Sequence, residues 1–219
     1  MVDLMPLDGL PHAAECFVAD VGTADTIESM ARGALSKMPA GPFALAGLSM
    51  GGYVALEIVR QAPARVKGLA LLDTNARPDS EQATADRRRM MALAETDFER
   101  VVSALVPKLL APAHQRDAAI VSTVRAMARA TGKEAYRRQQ QAIIGRIDSR
   151  PHLAAIRCPT LVLCGAEDVL TPPALHEEMA NAIAGSRLVM APGSGHLSPI
   201  EAPSLVTHNL RHWISGLGS

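Results

Sequence analysis

The chain has 219 residues, 48% of them hydrophobic, enough for one domain with an ordinary core and too few for two independent large ones. Lysine plus arginine balance aspartate plus glutamate at 22 each, so no overall field favours nucleic acid or an anionic membrane surface, and a small, weakly charged substrate fits better. The start, MVDLMPLDGLPHAAECFVAD, lacks the basic opening and long apolar run of a signal peptide, and no later stretch is uncharged over a membrane-spanning length, so a soluble cytoplasmic protein is expected.

Five short apolar runs predict strands: CFVADV from Cys16, FALAG from Phe43, LALLD from Leu69, TLVLCG from Thr160 and RLVMA from Arg187. They are near-continuously apolar rather than alternating, as parallel strands covered on both faces are. After the first run, Asp25 and Glu28 form a capping box for a helix whose inward positions are Ile27, Met30, Ala31, Ala34, Leu35 and Met38, ended by Pro39 and Gly41. A helix over Met50–Gln61 stops near Pro63, and a final one runs from Ser204 to about Ile214. Strands alternating with helices predict an α/β fold with a mostly parallel sheet flanked by helices.

From 75 to 157 the pattern is helical throughout. Phe98, Val101, Val102, Leu105, Val106, Leu109 and Leu110 make one amphipathic face, Ile120, Val121, Val124, Met127 and Ala128 a second, and Ala135, Tyr136, Gln139 and Ile143 a third. Residues 1–74 and 158–219 are therefore expected to form the core and 75–157 an inserted helical unit. The charges at Asp86–Arg89 and at Arg137–Arg138 are expected to face water. Cys16, Cys158 and Cys164 are an odd number, and two of them lie in or beside strand-like runs, where a thiol is usually a small buried hydrophobe, so neither a disulfide framework nor a catalytic thiol is expected.

The stretch PFALAGLSMGGYVALEIV carries Ser49 between Gly47 and Gly51, after an apolar strand and before a helix. A tight strand-to-helix turn crowds its own backbone, which small neighbours relieve, and it lifts the serine above the sheet edge at a helix N-terminus that favours negative charge. A neutral hydroxyl is a poor nucleophile, so such a site needs a base and a group to orient that base. CGAEDVLTPP places Asp168 just beyond the fourth strand, before a helix that Pro172 can start, and APGSGHLSPIEAP places His196 in a glycine-rich loop after the fifth. Loops leaving the carboxyl ends of parallel strands converge on one edge, so Ser49, Asp168 and His196 can meet.

GLSMGG, GAEDVLTP and GHLSPIEAP closely resemble the nucleophile elbow, acid loop and histidine loop of the α/β-hydrolase superfamily, and the resemblance extends over nearly the whole chain from about Cys16. It implies Ser49 as nucleophile, His196 as general base and then acid, and Asp168 as the group that holds the histidine tautomer. The helical insertion then resembles that family's lid. The chain looks most like small bacterial carboxylesterases and enol-lactonases, which implies a small ester, lactone or thioester as substrate, no metal and no organic cofactor; a homodimer is compatible with this. Asp73, closing LALLD, stands where some members carry the acid, and Asp168 is preferred because its loop is the usual source. Rival readings are a non-catalytic scaffold that binds a small hydrophobic ligand, and a triad used for perhydrolysis or carbon–carbon cleavage.

Other motifs carry less. GLSMGG has serine where a dinucleotide fingerprint needs its second glycine, and no phosphate loop follows. HEEMA at His176 lacks the second histidine of a zinc-protease helix, and His208 and His212, four apart, have no carboxylate cluster beside them. Met90, Met91 and Met127 suit either an acyl pocket or helix packing. For the oxyanion, Met50 offers one backbone N–H, but the family's second donor follows an earlier strand, and the fifteen or so residues before CFVADV are too few for a strand and its crossover helix. A lost central strand, from a truncated or mis-started reading frame, is therefore expected, with a deficit of about 3 kcal/mol in transition-state stabilisation.

Overall fold

The computed structural model describes residues 15–218. The elements run α1 (Ile27–Lys37), β1 (Phe43–Leu48), α2 (Met50–Gln61), β2 (Val66–Leu72), α3 (Glu81–Thr96), α4 (Phe98–Leu109), α5 (Ala118–Ile144), α6 (Arg150–Leu153), β3 (Thr160–Gly165), α7 (Pro173–Ala182), β4 (Arg187–Ala191), α8 (Ser198–Glu201) and α9 (Pro203–Ser215). The four strands pair in parallel in the order β1-β2-β3-β4, with Leu48 opposite Leu72, Leu72 opposite Leu163 and Leu163 opposite Val189, so their carboxyl ends lie along one edge.

The strand period divides the core. Leu69, Leu71 and Val162 face α1, α2 and α7 through Met30, Ala31, Tyr53, Ile58, Met179 and Ile183. Their neighbours Ala70, Leu72, Leu161 and Leu163 face α9 through Val206, Leu210 and Trp213. Two-sided burial is why β2 and β3 read as unbroken apolar runs: β3 is buried along its whole length and β2 everywhere except Lys67.

The run at Cys16 is not a strand. Residues 15–21 are irregular, Phe17 is 50% exposed, and Asp20 instead closes a local turn by accepting the Gly22 N–H at 2.8 Å. Ladder hydrogen bonds need a neighbour, and no strand pairs with this segment among the described residues. The expectation of a lost amino-terminal strand concerns chain ahead of Glu15 and lies outside the described residues. Helix α1 is capped one residue later than its sequence suggested, by Thr26, whose hydroxyl accepts the Ser29 N–H at 3.1 Å.

Helices α3 to α6 form the insertion between β2 and β3, with the buried faces expected at Val101, Val102 and Val106, at Val124, and at Tyr136 and Ile143. Gly132, at φ 75° and ψ 164°, kinks α5 between the last two faces. The arginines are not all solvated: Arg87 pairs with Asp79 at 2.7 Å and Gln140 at 2.8 Å, and Arg138 donates to the Gly22 carbonyl at 2.9 Å. Met90 packs among Ala94, Val101 and Tyr136. No helix among the described residues is long and apolar enough to cross a membrane.

Candidate active site

Ser49 sits between β1 and α2 with φ 52° and ψ −117°, a left-handed backbone that costs a non-glycine residue about 1–3 kcal/mol. The surroundings over-determine it. Its N–H donates to the Leu72 carbonyl at 2.9 Å, and its carbonyl accepts the Gly52 N–H at 2.9 Å and the Thr74 hydroxyl at 2.7 Å. Close approach explains two glycines: a Cβ on Gly47 would lie 2.2 Å from the Gly51 carbonyl oxygen, and one on Gly52 would lie 2.4 Å from Thr74 Oγ1. Gly51, which completes the Gly-x-Ser-x-Gly pattern, has open space around its missing Cβ. The geometry therefore needs Gly47 and Gly52, and Gly51 only contributes its carbonyl to the crowding.

The three residues singled out in the sequence meet. His196 Nε2 lies 2.7 Å from Ser49 Oγ, and His196 Nδ1 lies 2.8 Å from Asp168 Oδ2. Asp168 is 3% exposed and its Oδ1 accepts the N–H groups of Leu170 at 2.8 Å and Thr171 at 2.9 Å. The Thr171 hydroxyl donates to Oδ2 at 2.6 Å. Burial pushes the Asp168 carboxyl up, but the hydrogen bonds and charge of His196 and the bonds from Thr171 outweigh it and hold the acid below its ordinary value. An ionised Asp168 only accepts, so Nδ1 of His196 carries the proton and the lone pair on Nε2 faces the serine hydroxyl. That arrangement can take the Ser49 proton as the oxygen attacks an acyl carbon. The Met50 N–H is the first of α2 and has no acceptor within the helix.

Asp73 does not take the acid position. It is fully buried at φ 45°, its Oδ1 accepts the Gly165 N–H at 2.9 Å, and its Oδ2 accepts the N–H and hydroxyl of Ser198 at 3.0 and 2.6 Å. Burial raises its carboxyl to about 7. Its role is to tie the ends of β2 and β3 to the segment after His196. Among the described residues, the one group with the spacing of a metal site is Asp73, Cys164 and Asp168. Both carboxylates already accept from N–H and O–H donors, and burial drives the Cys164 thiol well above its ordinary value. His208 and His212 are exposed on α9.

Sequence reasoning missed the supports. His176 is fully buried: its Nε2 accepts the Thr74 N–H at 2.9 Å while Nδ1 lies 3.4 Å from the Pro172 carbonyl. Burial lowers its pKa to about 4, so it stays neutral and pins Thr74, which in turn holds the Ser49 carbonyl. The signal for Thr171 was present in DVLT, since an aspartate side chain bonds the backbone that follows it within a few residues and so draws the next polar side chain close. Nothing in the local sequence marks His176, because its partner is 102 positions away.

Residues 10–203 match the α/β hydrolase fold family. The chain belongs to that family. Among solved α/β hydrolase structures, a thermophilic esterase from Thermogutta terrifontis is 34% identical, superposes with a TM-score of 0.84, and covers 90% of this chain and 74% of its own. The enol-lactonase from Burkholderia xenovorans LB400 is 28% identical with a TM-score of 0.78, covering 87% and 73%. A pimeloyl-[acyl-carrier protein] methyl ester esterase of Neisseria meningitidis is 27% identical over 161 residues, 71% of this chain and 51% of that protein. The chain spans between about half and two thirds of the length of several curated relatives that it matches.

Proposed function

We propose that the protein is a serine hydrolase that cleaves a small carboxylic ester, lactone or thioester through an acyl intermediate on Ser49. His196 removes the hydroxyl proton as Ser49 attacks, returns it to the leaving oxygen or sulfur, and then activates the water that releases the acid. Asp168 fixes the tautomer and stabilises the transient imidazolium. Met50 N–H, at the positive end of α2, receives the developing oxyanion. The observation that carries this reading is the unbroken chain from Ser49 Oγ through His196 to Asp168, at 2.7 and 2.8 Å.

The helices of 75–157 serve as the lid in this proposal. Val106, Leu110 and Val124 pack with Leu48, the residue before the nucleophile, and with Leu197, the residue after the base, which supplies an apolar wall for a small acyl group. Replacing Ser49 with alanine should abolish turnover of short-chain aryl esters while leaving the circular dichroism spectrum intact, and a fluorophosphonate should add to Ser49 of the parent protein. Retained turnover in the alanine variant would sink the assignment, and an unlabelled parent protein would favour the non-catalytic scaffold.

A further inference from the structure

His196 is held at its ring by Asp168 and at its backbone by something else. Glu201, the last residue of α8, has a fully buried side chain, and its one ion-pair partner among the described residues is a histidine rather than an arginine or lysine. Its carboxylate meets three backbone N–H donors and one histidine ring nitrogen. Oε1 accepts the N–H groups of Gly195 at 2.9 Å and Leu197 at 3.3 Å, the two residues that bracket His196. Oε2 accepts the Ala111 N–H at 2.7 Å and lies 2.9 Å from Nδ1 of His114. Between the two bracketing amides, the His196 N–H donates to the carbonyl of Leu109, the last residue of α4. Three consecutive amides of the histidine loop are thus fixed by the segment Leu109–His114 of the insertion and by the one carboxylate that bridges to it. The approach is close enough that a Cβ on Gly195 would lie 2.6 Å from the Ala111 nitrogen.

A buried carboxylate is tolerated when its lone pairs are filled, and a carboxylate is the side chain that can accept on both ends at once. We propose that Glu201 is a positioning residue that fastens the backbone of His196 to the end of α4, so that the placement of the helical insertion sets the placement of the base. Asp168 determines which nitrogen of His196 carries the proton; Glu201 determines where the ring stands relative to Ser49. The inference rests on the reading of Ser49, His196 and Asp168 as a catalytic triad. It makes the insertion more than a cover: a substrate that displaces Leu109–His114 also displaces His196.

The test compares Glu201→Ala, Glu201→Gln and His114→Ala with the parent protein by steady-state kinetics on a short-chain aryl ester and by the NMR resonance of the His196 Nδ1 proton. A misplacement of about 1 Å at a base costs about 100-fold, so Glu201→Ala should lower kcat by about that factor with KM within about threefold, and should shift or broaden the Nδ1 resonance. Glu201→Gln keeps one acceptor oxygen but turns an NH2 towards a backbone N–H, so it should lower kcat by about three- to tenfold and move the Nδ1 resonance less than Glu201→Ala does, while His114→Ala, which removes one of the four partners, should cost less than about threefold. An active parent with kcat unchanged in both Glu201 variants overturns the inference, as does a rise in KM at constant kcat. If Glu201→Ala does not fold, Glu201→Gln with parental kcat and an unmoved resonance overturns it equally. An inactive parent would refute the hydrolase reading instead, and the Nδ1 resonance would still decide whether Glu201 places His196.

Discussion

Two buried titratable groups near the site oppose one another, and separating them tests the account of His176. Burial lowers the pKa of His176 from 6.5 to about 4 and raises that of Asp73 from 3.8 to about 7. The unfolded chain protonates His176 below its ordinary value, whereas the folded chain resists until about pH 4. The stability tied to neutral His176 is therefore intact above pH 6.5 and is lost as the pH falls from there to about 4, by about 3 kcal/mol at 1.36 kcal/mol per unit. Asp73 behaves in the opposite sense: its contribution is full below pH 3.8 and is lost as the pH rises towards 7, by about 4 kcal/mol. Across the shared window the two largely cancel, and the parent protein should show a deceptively flat stability profile. In His176→Gln the amide oxygen can still accept the Thr74 N–H but nothing titrates, so urea unfolding should place the variant within about 2 kcal/mol of the parent near pH 8. The parent's stability relative to the variant should then fall by about 3 kcal/mol by about pH 4, with the Asp73 contribution common to both. A difference between the two proteins that does not change with pH would refute the assignment of a buried neutral imidazole.

Three further outcomes follow from the site. Asp168→Asn should lower kcat by about 10³–10⁴-fold because the amide no longer selects the Nδ1–H tautomer, whereas Asp73→Asn should leave kcat within about tenfold; equal losses in steady-state assays would mean that the two acids are not distinguished as their hydrogen bonds indicate. Gly52→Ala drives a Cβ into Thr74 and should cost about 1–3 kcal/mol in urea unfolding, while Gly51→Ala, with open space and a better helix former, should be neutral or stabilising by up to about 1 kcal/mol. Ser49→Gly relieves the left-handed backbone and should raise stability by about 1 kcal/mol while eliminating ester turnover; a lower melting temperature would show that the turn stores no strain.

Much of the fold was legible because burial and periodicity coincide. Met50–Gln61 was bounded by the turn before it and Pro63 after it, and the runs at Phe43, Leu69, Thr160 and Arg187 each became a strand because each has a neighbour. The Cys16 run has the same composition and no neighbour among the described residues, and composition alone does not report pairing. Ser49, Asp168 and His196 were legible because each follows the carboxyl end of a strand and the strands run parallel. Glu201, His176 and Thr74 were not, since each works by meeting backbone from distant elements. Arg87 was misread as solvated because its partner Asp79 lies outside the helix that carries it.

Neighbouring β2 and β3 are separated along the chain by the 87 residues from Asp73 to Pro159. The pairing of β1 with β2 closes a short loop through α2, so the backbone around Ser49 is local in origin and can condense early. The strands that bring Asp168 and His196 must wait for the closure of the long intervening stretch, whose entropy is recovered only when they dock. On a growing chain Ser49 therefore exists before His196, and in the proposed enzyme the order of synthesis leaves the serine unactivated until the last strand is in place.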